Sequence, residues 1–200
     1  MTPYEMKLLS CNPSRLKGLS EKLIVSHYEN NYGGAVKRLN AITGQLAGLD
    51  FANAPVFLIN GLKREELIAA NSMILHELYF DGLGAAGEPD GELRSLMVRD
   101  FGSIDAWRTQ FAAMGKALGG GSGWVLLTVS PRDRKLINQW AADHTHALAG
   151  AIPLLALDLY EHSYHLDYGA KAAAYVDAFM QNINWASAGR RVPKDAGGGS

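Results

Sequence analysis

Asp158, Glu161, His162 and His165 fall within eight residues of one another, directly after the apolar run Ile152, Leu154, Leu155 and Leu157. A strand-like run ending in a carboxylate, with an imidazole four positions on, is one way to hold a metal. The anion sits at the end of a stiff element, and the histidine returns to the same side about one helical turn later. The same residues also fit a strand-to-helix junction, with Asp158 as a cap and the histidines solvated.

The elements that must position these residues come from a chain of 200 residues, enough for a substantial core in one domain or in two small ones sharing an interface. Apolar content of 48% and charged content of 20% are those of an ordinary globular protein. A net charge of −1 leaves no basic footprint for nucleic acid or for a membrane surface. Cys11 is the single cysteine, which excludes an internal disulfide and a multi-cysteine zinc site and suits a reducing compartment. "MTPYEMKLLSCNPSRLKG" has no apolar signal core, and no window reaches the length of a membrane span, so a cytoplasmic protein is expected.

Periodicity predicts helices first. "LSEKLIVSHYENNYGGAVKRLNAITGQL" starts at the capping Ser20, carries Leu23, Ile24, His27 and Tyr28 at helical spacing, and is interrupted at Gly33-Gly34, where a bend or a close backbone approach is expected. "LKREELIAANSMILHELYFDGLG" is the second arm of a helical hairpin. "GAAGEPDGE" (84–92) marks a border. Two helices split around Phe101-Gly102 follow, with Ser103 as a cap. Then come three short strands, "WVLLTVS", "KLINQW" and "IPLLALD", and an alanine-rich helix in "GAKAAAYVDAFMQNINW". The expected fold is α+β: an N-terminal helical hairpin domain (1–84), a C-terminal domain of helices with a three-stranded antiparallel sheet (92–190), and a flexible tail (191–200).

"DLYEHSYHLDY" resembles the signature of the iron/manganese superoxide dismutases, Asp-x-Trp-Glu-His-Ala-Tyr, with Tyr160 replacing the Trp and Ser163 the Ala. The resemblance covers roughly residues 18 to 188, and the family's order, a helical hairpin before an α/β domain, agrees with the expected elements. It implies that His27 in "VSHYENNY", His76 in "HELYFDGL", Asp158 and His162 bind one iron or manganese ion per subunit. Three imidazoles and one carboxylate suit such an ion better than calcium or magnesium, which want oxygen. Superoxide is the implied substrate. A homodimer or a dimer of dimers is implied as well, with Glu161 reaching the partner subunit's His162.

The outer shell departs from the family pattern. The helix slot one turn before His76 is Ser72, too short to reach solvent on the metal. The loop "AADHTHALAG" offers His144 and His146; the pair Asp143-His144 resembles the Asp-His of family members that use a loop histidine, which makes His144 the expected donor, with His146 in reserve. Where the family carries a funnel His and Tyr, this chain has Asn31 and Ala35, and the Tyr after the last ligand is His165. Tyr32 and His165 are the candidates to fill the vacancy. Trp124 matches the first aromatic of the family's Gly-x-Gly-Trp-x-Trp-Leu run, whose second Trp is Leu126 here. With Tyr79, Phe80 and Tyr160 it is expected to wall the metal from water, or to pack as plain core. An alternative follows from the altered relay: different redox chemistry in a pocket enlarged at Ala35.

Overall fold

The computed structural model describes residues 2–84, 87–194 and 196. Its N-terminal half is a helical hairpin. α1 (Glu21–Ser26) runs through a π-helical segment (His27–Tyr32) into α2 (Gly33–Ala47), and α3 (Val56–Asp81) returns beside it. Ser20 Oγ accepts from the Leu23 backbone N–H, as the capping position requires. The expected disturbance near Gly33-Gly34 takes the form of the wider π turn just before it. A close approach also occurs there, because a Cβ on Gly33 would lie 3.1 Å from Met6 Sδ. α3 starts earlier than its amphipathic pattern suggests, since Pro55 precedes its first turn and the exposed Val56 and Phe57 extend it into solvent.

The second half opens with α4 (Gly91–Phe101) and α5 (Ile104–Leu118). Gly102 breaks the two apart at φ +85°, and Ser103 caps the second by accepting from Ala106 N–H. β1 (Trp124–Val129), β2 (Leu136–Ala141) and β3 (Ile152–Asp158) form an antiparallel sheet in the order β2-β1-β3. β1 is buried along its whole length, which explains its unbroken apolar run. β3 is an edge strand, the place where Pro153 costs no ladder bond. The register steps between Leu127↔Leu155 and Thr128↔Pro153, so Leu154 is the extra residue of a β-bulge.

The alanine-rich helix is not continuous. A turn (Glu161–Ser163) and α6 (His165–Tyr168) lead to α7 (Ala172–Met180) and then α8 (Trp185–Arg190), with Asn184 capping the last through Ser187 N–H. Between α7 and α8, Ile183 pairs with Leu83, while Gly84 N–H donates to Asn182 O and Asn184 N–H to Gly82 O. The end of the hairpin is thus stitched to the C-terminal half at the expected border. Residues 85 and 86 of that link lie outside the described residues. So do 195 and 197–200 of the expected tail. Its described part is anchored: Arg191 pairs with Asp81, and Ala196 is buried with its carbonyl on Arg99.

One core spans both halves. Leu39, Leu78, Trp107, Phe111, Trp124, Leu155 and Phe179 are among its members. α3 packs on β3, and α5 packs on β1 and α7. Each such buried side chain contributes roughly 1.5–3 kcal/mol of transfer free energy. The α3–β3 contact sets the end of β3 against the histidine-bearing part of the hairpin.

Candidate metal centre

Four elements deliver four side chains to one point. His27 opens the π segment, His76 lies near the end of α3, Asp158 ends β3, and His162 sits in the turn after it. One ligating atom from each falls within 4.8 Å of the others. Asp158 Oδ2 is 3.2 Å from His27 Nε2, 3.3 Å from His162 Nε2 and 3.7 Å from His76 Nε2. Ligand atoms about 2.1 Å from one cation, at angles of roughly 90–120°, stand about 3.0–3.6 Å apart, so this spacing suits a shared ion.

The polar groups around the cluster leave the same atoms free. The Tyr160 backbone N–H donates to Asp158 Oδ1 at 2.8 Å, which turns Oδ2 toward the imidazoles. The Ser72 carbonyl stands 2.7 Å from His76 Nδ1; a carbonyl only accepts, so Nδ1 carries the proton and Nε2 offers its lone pair. His27 Nε2 and His76 Nε2 are buried without a hydrogen-bond partner, a costly state that a cation relieves. Burial lowers the His27 and His76 pKa values; His76, also beside His27, is held at about 3. Burial alone would raise Asp158, but His162 and His27 pull its carboxyl far below the usual carboxylate range. Neutral imidazoles and an ionised carboxylate are the ligating forms.

Aromatic rings close the site. His27 packs on Tyr79 and Phe80, each at 5.0 Å between ring centroids, and His76 meets Trp124 edge-on at 5.4 Å. Tyr160 stacks on His144, at 4.8 Å, and on His162, at 5.5 Å, nearly parallel to both. His144 is fixed by Trp124, whose indole N–H donates to its Nδ1, and by Asn71, which donates to its backbone carbonyl. His146 instead stands exposed beside Asp143 and Trp140. Ser72 faces His76, with its Oγ 3.4 Å from Nδ1.

The funnel candidates Tyr32 and His165 sit on different elements, the π segment and the start of α6. Tyr32 stacks on His76 at 6.4 Å, but its hydroxyl donates to Glu77 Oε1 and accepts from Lys7 N–H. His165 is exposed at the start of α6, Asn31 is half-buried in the π segment, and Ala35 is buried in α2. Glu161 is exposed beside His162, whose side chain keeps 27% of its surface open. Sequence reasoning missed Ser163, whose hydroxyl lies 2.9 Å from the Asp158 carbonyl and 2.7 Å from that of Tyr160, clamping the turn. It also missed Lys7 and Glu77. The aromatic pair Tyr28 and Tyr32, four apart, was the one local signal pointing to them.

Residues 89–191 match the family model "Iron/manganese superoxide dismutases, C-terminal domain". The chain is 73% identical over 188 residues to "Superoxide dismutase [Fe]" of Cupriavidus metallidurans, covering 94% of this chain and 95% of that protein. It is 36% identical over 190 residues to "Superoxide dismutase [Fe]" of Aquifex pyrophilus, covering 91% and 88%. With "Superoxide dismutase [Mn]" of Haloarcula marismortui it shares 32% over 185 residues, covering 88% and 86%. A match over half the sequence, joined to relatives aligned nearly end to end, puts this chain in the iron/manganese superoxide dismutase family.

Proposed function

We propose that this protein is a superoxide dismutase, with His27, His76, Asp158 and His162 holding one iron or manganese ion. The observation that carries the reading is the convergence of three Nε2 atoms on Asp158 Oδ2, two of them buried and unpartnered. When bound, such an ion supplies the one-electron couple between +2 and +3 through which one superoxide gives up an electron and another receives it with two protons. Zinc has no such couple.

The chain's own residues do the rest. Asp158 brings one negative charge and the imidazoles none, offsetting part of the charge of a trivalent cation. Tyr79, Phe80 and Trp124 keep bulk water from the ligand side of the site. His144 keeps its proton on Nε2, because Nδ1 is taken by Trp124, and we assign it as the side chain that hydrogen-bonds solvent at the site. His146, exposed beside Asp143 and Trp140, stays in reserve for that role.

Iron is the proposed native occupant, supported by the iron-named relative at 73% identity. Glu161 is assigned to a dimer contact, supported by its exposure beside the partly open His162. The division into a hairpin domain (1–84) and an α/β domain (92–190) is retained, with the Leu83–Ile183 pairing as the joint. Among the described residues no helix is long and apolar enough to cross a membrane; a cytoplasmic location remains the reading of the single half-buried Cys11. Oxidation of a larger substrate at Ala35 is not favoured, because that residue is 7% exposed and packed in the core.

Elemental analysis of protein purified without added metal, paired with superoxide turnover, tests the assignment. Wild type is expected to carry iron and turn over superoxide, and Asp158→Ala to lose both. Wild-type metal content in Asp158→Ala would overturn the ligand set.

A further inference from the structure

The N-terminal strand of chain before α1 lies outside the metal cluster, yet it is fastened to the two segments that carry His27 and His76. Lys7 makes three contacts there. Its backbone N–H donates to Tyr32 OH at 2.9 Å, its carbonyl accepts from Tyr28 OH at 2.9 Å, and its ammonium pairs with Glu77 Oε2. Glu77 follows His76 directly in α3, and its other oxygen accepts from Tyr32 OH at 3.0 Å. The Tyr32 hydroxyl is thus the shared member, accepting from the strap and donating to α3.

The π turn makes this possible. Residues five apart come to the same face in a π segment. His27 and Tyr32 accordingly both contact the His76 ring, at 5.0 and 6.4 Å, and the Phe80 ring, at 5.0 and 6.1 Å. Met6 closes the approach from the strap side, against Gly33.

We propose that Lys7, Tyr32 and Glu77 form a clasp that positions His27 and His76 for metal binding, with Tyr32 as the principal positioning residue. Tyr32 lies face-on to the His76 ring on one side of the turn. Its phenol ties that turn, through Glu77 and Lys7, to a stretch of chain that itself supplies no ligand. The proposal rests on the four-ligand reading above and extends it to groups that do not touch the ion. Removing the Tyr32 hydroxyl leaves the ring stacked but unties the π turn from Glu77 and from the Lys7 backbone, while the Lys7–Glu77 pair remains. Loss of such orienting partners typically weakens metal binding roughly ten- to a hundredfold.

The test uses the full chain loaded with ferric iron. Release to an excess of chelator and the high-spin ferric EPR line shape are recorded for wild type, Tyr32→Phe, Glu77→Gln and Lys7→Arg, with circular dichroism and Tm as folding controls. Glu65→Gln, which breaks the ion pair with Arg38 on the same hairpin, is the comparison. Tyr32→Phe is expected to fold, to bind one ion, to release it roughly ten- to a hundredfold faster and to change the EPR line shape. Glu77→Gln should follow it, Lys7→Arg should stay close to wild type, and Glu65→Gln should alter Tm alone. If Tyr32→Phe fails to fold, Glu77→Gln carries the test. Wild-type release and line shape in a folded variant, even with a lower Tm, would reduce the clasp to a structural contact and overturn the proposal. Failure of the ligand set itself reads out separately, as iron retained by Asp158→Ala.

Discussion

The indole N–H of Trp124 donates to Nδ1 of His144 at 3.0 Å, and this one bond decides which ring nitrogen of His144 keeps its proton. Indole nitrogen only donates, so the neutral ring must carry its hydrogen on Nε2. Trp124→Phe preserves most of the buried surface and removes the lock. Superoxide turnover is expected to fall roughly tenfold with the metal retained. Imidazole nitrogen shifts in labelled protein should change from one tautomer to a mixture, and an unchanged spectrum would refute the role.

Metal-free protein should lose stability in acid through the buried histidines of the proposed metal site. His76 titrates at about 3 in the fold against an ordinary value of 6.5. Between those values the unfolded chain binds a proton that the folded chain refuses. Stability therefore rises with pH across the window and is lost as pH falls through it, by roughly 1.4 kcal/mol per pH unit for one group. His27, also lowered by burial, adds to the slope with the same sign. Asp158 adds to it again below the usual carboxylate range, because its folded carboxyl stays ionised where the unfolded one takes a proton. Urea denaturation of the apoprotein at several pH values measures the slope, and a flat profile would contradict buried neutral imidazoles.

Gly115 marks the closest packing of α5. A Cβ there would stand 2.8 Å from Leu157 Cδ2 and 3.2 Å from both methyls of Val176. Gly115→Ala is expected to cost about 1–3 kcal/mol, because two core side chains must move at once. The gain in helix propensity, about 1 kcal/mol, offsets only part of that. Differential scanning calorimetry would register the loss, and a raised Tm would show that the core gives way there.

Asn182 joins the lead-in to the C-terminal helices. Buried, it accepts from Lys17 N–H at 2.8 Å and lies within 2.7 Å of the Lys17 and Ala178 carbonyls as donor. Asn182→Ala should cost roughly 1–3 kcal/mol, the penalty for stranding buried backbone groups, with metal content unchanged. Loss of metal at equal stability would contradict this purely structural assignment.

The legible parts of the molecule were those encoded locally. Ser20 and Ser103 announce helix starts, Gly102 a break, and the apolar runs around Trp124 and Leu155 the strands, because caps, breakers and short apolar runs act within a few residues. The motif at Asp158 and His162 was legible for the same reason. His27 and His76 needed the family resemblance, since each alone looks like a core histidine and only folding brings them to Asp158. Tyr32 is a candidate for the funnel vacancy by proximity in sequence, which says nothing of where its hydroxyl bonds. That hydroxyl bonds Lys7 and Glu77, 25 and 45 residues away, and spacing carries no trace of a bond at that range. The broken C-terminal helix was hidden likewise, because the Ile183–Leu83 pairing that interrupts it is a long-range contact.

The extra residue at Leu154 gives the far end of β3 a mechanical independence. Upstream of that joint, the connection from β2 can lengthen or shorten while the ladder from Leu155 to Asp158 stays locked to β1. Downstream, a single deletion would turn the aspartate to the opposite face of the sheet. A change of chain length is therefore accommodated before Ile152 and not between Leu155 and Asp158.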